Sequence, residues 1–142
     1  MSEATAPEMT MPKHGDFCWT EIAINDLKAC KDFYSKVFGW EMKKSNNAEA
    51  GMEYQEFSVT PGDYPMGGMY QISKEMFGEH LPPPHFLSYV SVDNVDETTS
   101  KAFDLGAKII KSGIEIPNVG RMSIVQDPTG GMVAFITLGG GK

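Results

Sequence analysis

Glu21-Ile-Ala-Ile-Asn-Asp-Leu-Lys28 and Tyr89-Val-Ser-Val-Asp-Asn-Val-Asp96 decide the fold. Each is a strand-like alternation that runs into an Asn/Asp pair and then a helix start, and the second follows the first at a constant offset of 68 residues. Working outward from the first copy, Phe17 to Ile24 has the period of a strand packed on both faces. Asn25 and Asp26 can cap a helix carrying Cys30, Phe33, Tyr34, Val37 and Phe38 at helical spacing, and Gly39 stands where a left-handed residue would end it. That helix is expected to pack on the first strand. Strand-like runs follow at Trp40 to Lys44, Tyr54 to Val59 and Gly68 to Ile72, parted by the turn formers Ser45-Asn-Asn and Thr60-Pro-Gly-Asp. The order is β-α-β-β-β.

The second copy repeats this order. Leu105-Gly-Ala-Lys-Ile echoes Phe38-Gly-Trp-Glu-Met at an offset of 67, and Gly130-Gly-Met-Val-Ala echoes Gly67-Gly-Met-Tyr-Gln at 63. Between the copies, Ser73 to Pro84 is polar and ends in three prolines, which neither join a ladder nor continue a helix. The expected organisation is α+β: a polar leader over 1–15, one domain over 16–138 and a tail over 139–142. The domain divides into a first module over 16–72, a linker over 73–84 and a second module over 85–138.

Composition narrows the function classes. The chain has 142 residues, 41% hydrophobic and 22% charged, the balance of a globular domain able to bury a core without disulfides. No apolar run approaches the roughly 20 residues that span a bilayer. The opening ten residues carry two acids and no apolar stretch, so they do not read as the core of a secretory signal. A formal net charge of -7 without a Lys/Arg cluster argues against nucleic acid and membrane surfaces as partners. Two cysteines, Cys18 and Cys30, without a CxxC spacing point to a reducing cytoplasm. Cys18 is expected to face the helix and Cys30 to meet it, both as small buried hydrophobes rather than nucleophiles.

The chain resembles the vicinal oxygen chelate superfamily, also called the glyoxalase, bleomycin-resistance and dioxygenase superfamily, from Phe17 to Leu138. Asp26-Leu, Phe33-Tyr34 and Val37-Phe-Gly-Trp40 carry the likeness in the first module, and Val92-Asp-Asn-Val-Asp96 and Asp127-Pro-Thr-Gly130 in the second. Phe17-Cys-Trp-Thr-Glu21 is similar to the start of a poorly characterised branch in which an aromatic replaces the usual first-strand ligand. The resemblance implies two tandem βαβββ modules whose curved sheets enclose a cleft, with the helices outside. It also implies frequent homodimers; whether the modules close the cleft within one chain or across two stays open.

By resemblance, metal-dependent members take ligands from the first and last strand of each module. Counting from the helix cap puts Trp19 and Leu87 at the first-strand positions, and neither ligates a divalent ion. The Asp-Pro-x-Gly motif leads to Ala134, and its repeat partner at an offset of 63 is Gln71. A single neutral oxygen does not hold a metal against water, so no metal or other cofactor is expected. A register shift of two residues would bring in Glu21 and His85 with Gln71 as an unorthodox ligand set. His14 and His80 read as surface residues.

Alternation places Trp19, Glu21, Leu87, Tyr89, Ala134 and Ile136 on the cleft face with Gln71, an apolar lining with a few polar groups, as small-molecule sites have. Trp19 can stack on a planar ligand or simply fill the place of a metal, and Gln71 and the Tyr89 hydroxyl can orient a ligand. Glu21, an inward carboxylate, is a candidate general acid or base with Tyr89; equally, it serves structure through an ion pair with Arg121 or a hydrogen bond to Tyr89. Arg121 is a candidate for bidentate capture of a carboxylate or phosphate, or a solvated rim residue. Met66, Met69, Met122 and Met132 can line an adaptable pocket or fill the core. The leading expectation is a metal-independent small-molecule binder of glyoxalase/bleomycin-resistance type. The alternatives are a metal-dependent lyase or dioxygenase and a non-catalytic sequestering protein.

Overall fold

The computed structural model describes residues 12–45, 53–116 and 119–139. The start of the leader, the Asn46-Asn47 part of the first turn, the Asn118 lead into a strand and the end of the tail lie outside these residues. The first strand, β1, is Phe17–Ile24, and the first helix, α1, is Leu27–Phe38. Asp26 caps α1 by accepting from the Ala29 amide, and Gly39 ends it at φ 77, with its N–H on the Ser35 carbonyl. Strands β2 (Glu41–Lys44), β3 (Tyr54–Ser58) and β4 (Gly67–Gln71) complete the first module. The proline-rich linker holds one turn of helix, α2 (Lys74–Phe77).

The second module repeats the plan: β5 (His85–Ser91), α3 (Val95–Asp104), β6 (Lys108–Ile116), β7 (Gly120–Gln126) and β8 (Met132–Leu138). Asn94, the repeat partner of Asp26, caps α3 by accepting from the Glu97 amide. The eight strands form one curved, open sheet in the order β2-β3-β4-β1-β5-β8-β7-β6. The two halves therefore do not remain separate sheets. They join where β1 and β5 run antiparallel, and the repeat itself sets that join: Thr20 lies opposite Ser88, its own partner at 68 residues, with Trp19 opposite Tyr89 and Glu21 opposite Leu87. A pseudo-twofold axis passes between Thr20 and Ser88.

Alternation divides the sheet into an outer face under the helices and an inner face. On the outer face Ile22, Ile24, Phe57 and Met69 pack under Leu27, Cys30 and Tyr34 of α1, and Trp40 stacks on Phe57 with ring centroids 4.4 Å apart. Val92, Val125 and Phe135 form the matching layer under Val95 of α3. Each fully buried side chain of this kind stabilises by about 1.5–3 kcal/mol relative to its exposed state. The helix stripe read from the sequence is wider than the sheet covers: Phe33, Val37 and Phe38 stay exposed.

Two expected positions change. The ladder pairs Glu21 with Gly68 on β4 and Tyr89 with Ala134 on β8, so the structural partner of Ala134 is Gly68 and not Gln71. The last-strand equivalence at 63 residues is thus three residues out of register, and an odd shift turns a strand residue to the opposite face. The second change is at β1, where the register slips between Phe17 and Trp19. This bulge re-aims Cys18, which packs with Trp19 on the inner cluster of Leu87, Tyr89 and Ala134 rather than towards α1. Cys30 lies in the outer layer as expected. Both cysteines are free, and burial, with Asp16 near Cys18 and Asp26 near Cys30, raises both thiol pKa values above the ordinary one.

Candidate functional site

Glu21 lies on the inner face beside the seam between modules, and two other strands deliver its hydrogen-bond partners. Tyr54, from β3, donates its hydroxyl to Glu21 Oε2 at 2.8 Å, and Tyr89, from β5, donates to Oε1 at 3.0 Å. The Trp19 indole N–H donates to the Tyr54 oxygen at 3.1 Å, so Trp19, Tyr54, Glu21 and Tyr89 form one hydrogen-bonded chain. Tyr70, opposite Tyr54 on β4, stacks on it with centroids 6.4 Å apart. His85, opposite Ala23 and on the same face, has its Nδ1 2.8 Å from the Pro83 carbonyl.

Gly68 makes this arrangement possible. A Cβ at Gly68 would fall on the Tyr54 hydroxyl and ring carbons, so the missing side chain is the space through which Tyr54 reaches Glu21. Trp19, Glu21 and Tyr54 are only half-buried, whereas Tyr89 and Tyr70 lie beneath at 5% and 9% exposure. The accessible part of the site is therefore an indole, a carboxylate and a phenol over a floor of further aromatic rings.

Burial raises the Glu21 pKa above its ordinary value, against the opposing hydrogen bonds of Tyr54 and Tyr89 and the charge of His85. Burial, and next the Glu21 charge, raise Tyr54 and Tyr89 strongly, and push Tyr70 up to about 12. These phenols stay protonated in the physiological range and act as donors. A carboxylate held this way can accept a proton or bind a donor, and each of its oxygens keeps a further acceptor site.

The other expected site residues are distributed differently. Leu87 and Ala134 are on the inner face, but at 8% and 0% exposure they belong to a closed core with Tyr89, Met122 and Ile136. They support the site and offer a ligand little surface. Gln71 is on the outer side, where its Oε1 accepts from the Leu27 amide at the start of α1. It is a helix-end partner and not a cleft residue. Arg121 also points outward. Its guanidinium meets Asp96 Oδ1 at 3.0 Å and Glu115 Oε2 at 2.9 Å beside a shallow recess with Asn94 and Thr137, so it neither pairs with Glu21 nor faces the cleft. Arg121 alternates with Met122, and the inner-facing Met122 settles which way it points. Tyr54, Gly68 and Tyr70 were not among the expected site residues. The signal for them was present: two consecutive glycines inside a strand mark a close approach, here by an aromatic of the neighbouring strand.

Residues 17–135 match the Glyoxalase/Bleomycin resistance protein/Dioxygenase superfamily. The chain belongs to that superfamily. A Mycobacterium tuberculosis relative named "Putative glyoxylase CFP32" is 28% identical over 88% of the chain and 48% of its own length. The anthracycline biosynthesis protein DnrV of Streptomyces peucetius is 26% identical over 89% of the chain and 48% of its own length. The chain thus spans about half the length of the curated relatives it matches. The crystal structure of methylmalonyl-CoA epimerase from Mycobacterium tuberculosis superposes with a TM-score of 0.60 over 93% of each chain, and its 12% identity speaks for the fold alone.

Metal-dependent members of the superfamily raise the question of a divalent ion. With the register corrected, the four ligand positions hold Trp19, Gly68, Leu87 and Ala134, none with an oxygen, imidazole or thiolate donor. The shifted set fails as well, because Gln71 is on the opposite side of the sheet from Glu21 and His85. Among the described residues no three His, Cys, Asp or Glu side chains converge as a metal cluster. These residues do not fit a divalent ion.

Proposed function

We propose that the protein binds a small, partly apolar organic molecule on the inner face at the seam between its modules, using Trp19, Glu21, Tyr54 and Tyr89 where metal-dependent relatives use metal ligands. The observation that carries this reading is the half-buried Glu21 carboxylate held by two tyrosine hydroxyls beside an equally half-buried indole. Such a cluster desolvates a charge at the surface of a core, and a perturbed carboxylate among aromatic side chains is what marks a candidate binding or catalytic site. Within this reading Trp19 stacks on the ligand, Tyr89 positions Glu21, and Glu21 is the group that accepts or returns a proton if the bound molecule is turned over. Pairing of two copies belongs to the same proposal, since among the described residues β2 and β6 are the edge strands of the sheet. The two free cysteines fit a reducing compartment.

Elemental analysis of protein produced with zinc, iron, manganese and nickel tests the metal-free part. Far less than one ion per chain is expected, and about one ion per chain that survives dialysis would return the metal-dependent lyase or dioxygenase as the better reading. A screen of metabolite-like fragments followed through the Trp19 indole N–H resonance tests the binding part. Hits should move that resonance and lose affinity on Trp19→Ala; hits that leave it untouched would place binding elsewhere.

A further inference from the structure

We infer that the ligand of this face is an organic cation, an amine or quaternary ammonium carried on an apolar or aromatic body. This rests on the binding reading above and adds the sign of the charge. Glu21 is desolvated, yet no lysine or arginine compensates it among the described residues. Arg121 is committed to Asp96 and Glu115 on the outer side, and Lys43, on the inner face of β2, lies 4.0 Å from Glu41. His85 is the basic group that acts on Glu21, and its Nδ1 is engaged at the Pro83 carbonyl. Glu56, in register with Glu21 across Gly68, lies opposite Lys43 of β2 and accepts from the Ser45 hydroxyl at 3.0 Å, so Lys43 faces Glu56 and not Glu21.

What surrounds the charge is aromatic: Trp19, Tyr54, Tyr70 and Tyr89. The partly exposed indole of Trp19 can attract a cation and the neighbouring Glu21 carboxylate completes the attraction, whereas an anion would meet Glu21 with no lysine or arginine to balance it among the described residues. Each Glu21 oxygen accepts one tyrosine hydroxyl and retains one acceptor site, so an ammonium group can donate to both while resting on the indole. The tyrosines thereby hold the carboxylate in place before the ligand arrives. A neutral donor would use the same acceptor sites but would leave the buried charge unbalanced.

Phenethylamine, phenethyl alcohol and phenylacetate share a ring and differ in head-group charge. Titrated into the unmodified chain at neutral pH and followed by the Trp19 indole N–H resonance, the amine should bind about tenfold tighter than the alcohol, with the acid weakest. In Glu21→Gln the gap between amine and alcohol should close while alcohol binding persists. Equal binding of amine and alcohol to the unmodified chain, or preference for the acid, overturns the cation inference and leaves the binding face standing. Failure of all three to move Trp19 at saturating concentration overturns the binding face as well. If Glu21→Gln does not fold, the comparison of the three probes on the unmodified chain still decides the matter.

Discussion

Tyr89 donates its hydroxyl to Glu21 at 3.0 Å, and the two residues occupy the same position of the two modules, 68 residues apart. One copy of the module therefore carries the acceptor and the other the donor. Their contact is possible because the pseudo-twofold axis passes between Thr20 and Ser88, one residue from each. The site is a product of divergence between the repeats at the place where they touch.

Glu21 makes stability depend on pH in a defined direction. Burial raises its folded pKa above the ordinary 4.5, so between the unfolded and folded values the folded chain binds more protons than the unfolded one. Stability then falls as pH rises through that window, and below the unfolded value the contribution is fully present. The unfolding free energy of the unmodified chain minus that of Glu21→Gln should decline across this window in urea titrations. A difference that rises instead would mean that the hydrogen bonds of Tyr54 and Tyr89 outweigh burial.

Gly68→Ala should destabilise by about 1–3 kcal/mol, because a methyl at this position meets the Tyr54 phenol and displaces it from Glu21. In a Tyr54→Ala background most of that cost should vanish, since the atoms it collides with are gone. Denaturation of the four proteins in the cycle measures the coupling, and equal cost in both backgrounds would refute the cradle role of Gly68.

Gln71→Leu should leave metal content and ligand binding as they are and reduce stability by about 0.5–1.5 kcal/mol, the worth of one hydrogen bond at the start of α1. Hydrogen exchange at the Leu27 amide should speed up. A loss of ligand affinity at unchanged stability would return Gln71 to the site.

Arg121→Met should not alter affinity for any ligand of the inner face, because the guanidinium ties β7 to Asp96 and Glu115 on the other side of the sheet. Its stability effect should be small and should shrink further in added salt, as expected of a solvated pair. Thermal melts at two ionic strengths check the second point, and a binding titration checks the first.

The strand-helix units were legible because their information is local. Alternation over Phe17–Ile24 defined β1, Asp26 and Asn94 defined two helix starts, and their constant spacing implied two modules. It also placed Trp19, Glu21 and Tyr89 on one face, since a strand's side-chain period is independent of its neighbours. The linker helix Lys74–Phe77 was not legible, because a single turn carries too few positions to show a period.

Relations between distant strands were decided only in three dimensions. The loop before β4 spans 59–66 and the one before β8 spans 127–131, so the glycine pairs that look alike in the two copies do not occupy like places in the ladder. Three residues of slippage sent Gln71 outward and put Gly68 beside Glu21. The bulge that turns Cys18 inward and the reach of Tyr54 across Gly68 have the same origin: both depend on what the adjacent strand presents. By itself the sequence determined the two modules and the inward-facing carboxylate of the first; tertiary pairing set the axis between the modules and chose the carboxylate's partners, because hydrogen-bond register is set by the length of intervening loops and by packing, and neither is encoded within a single strand.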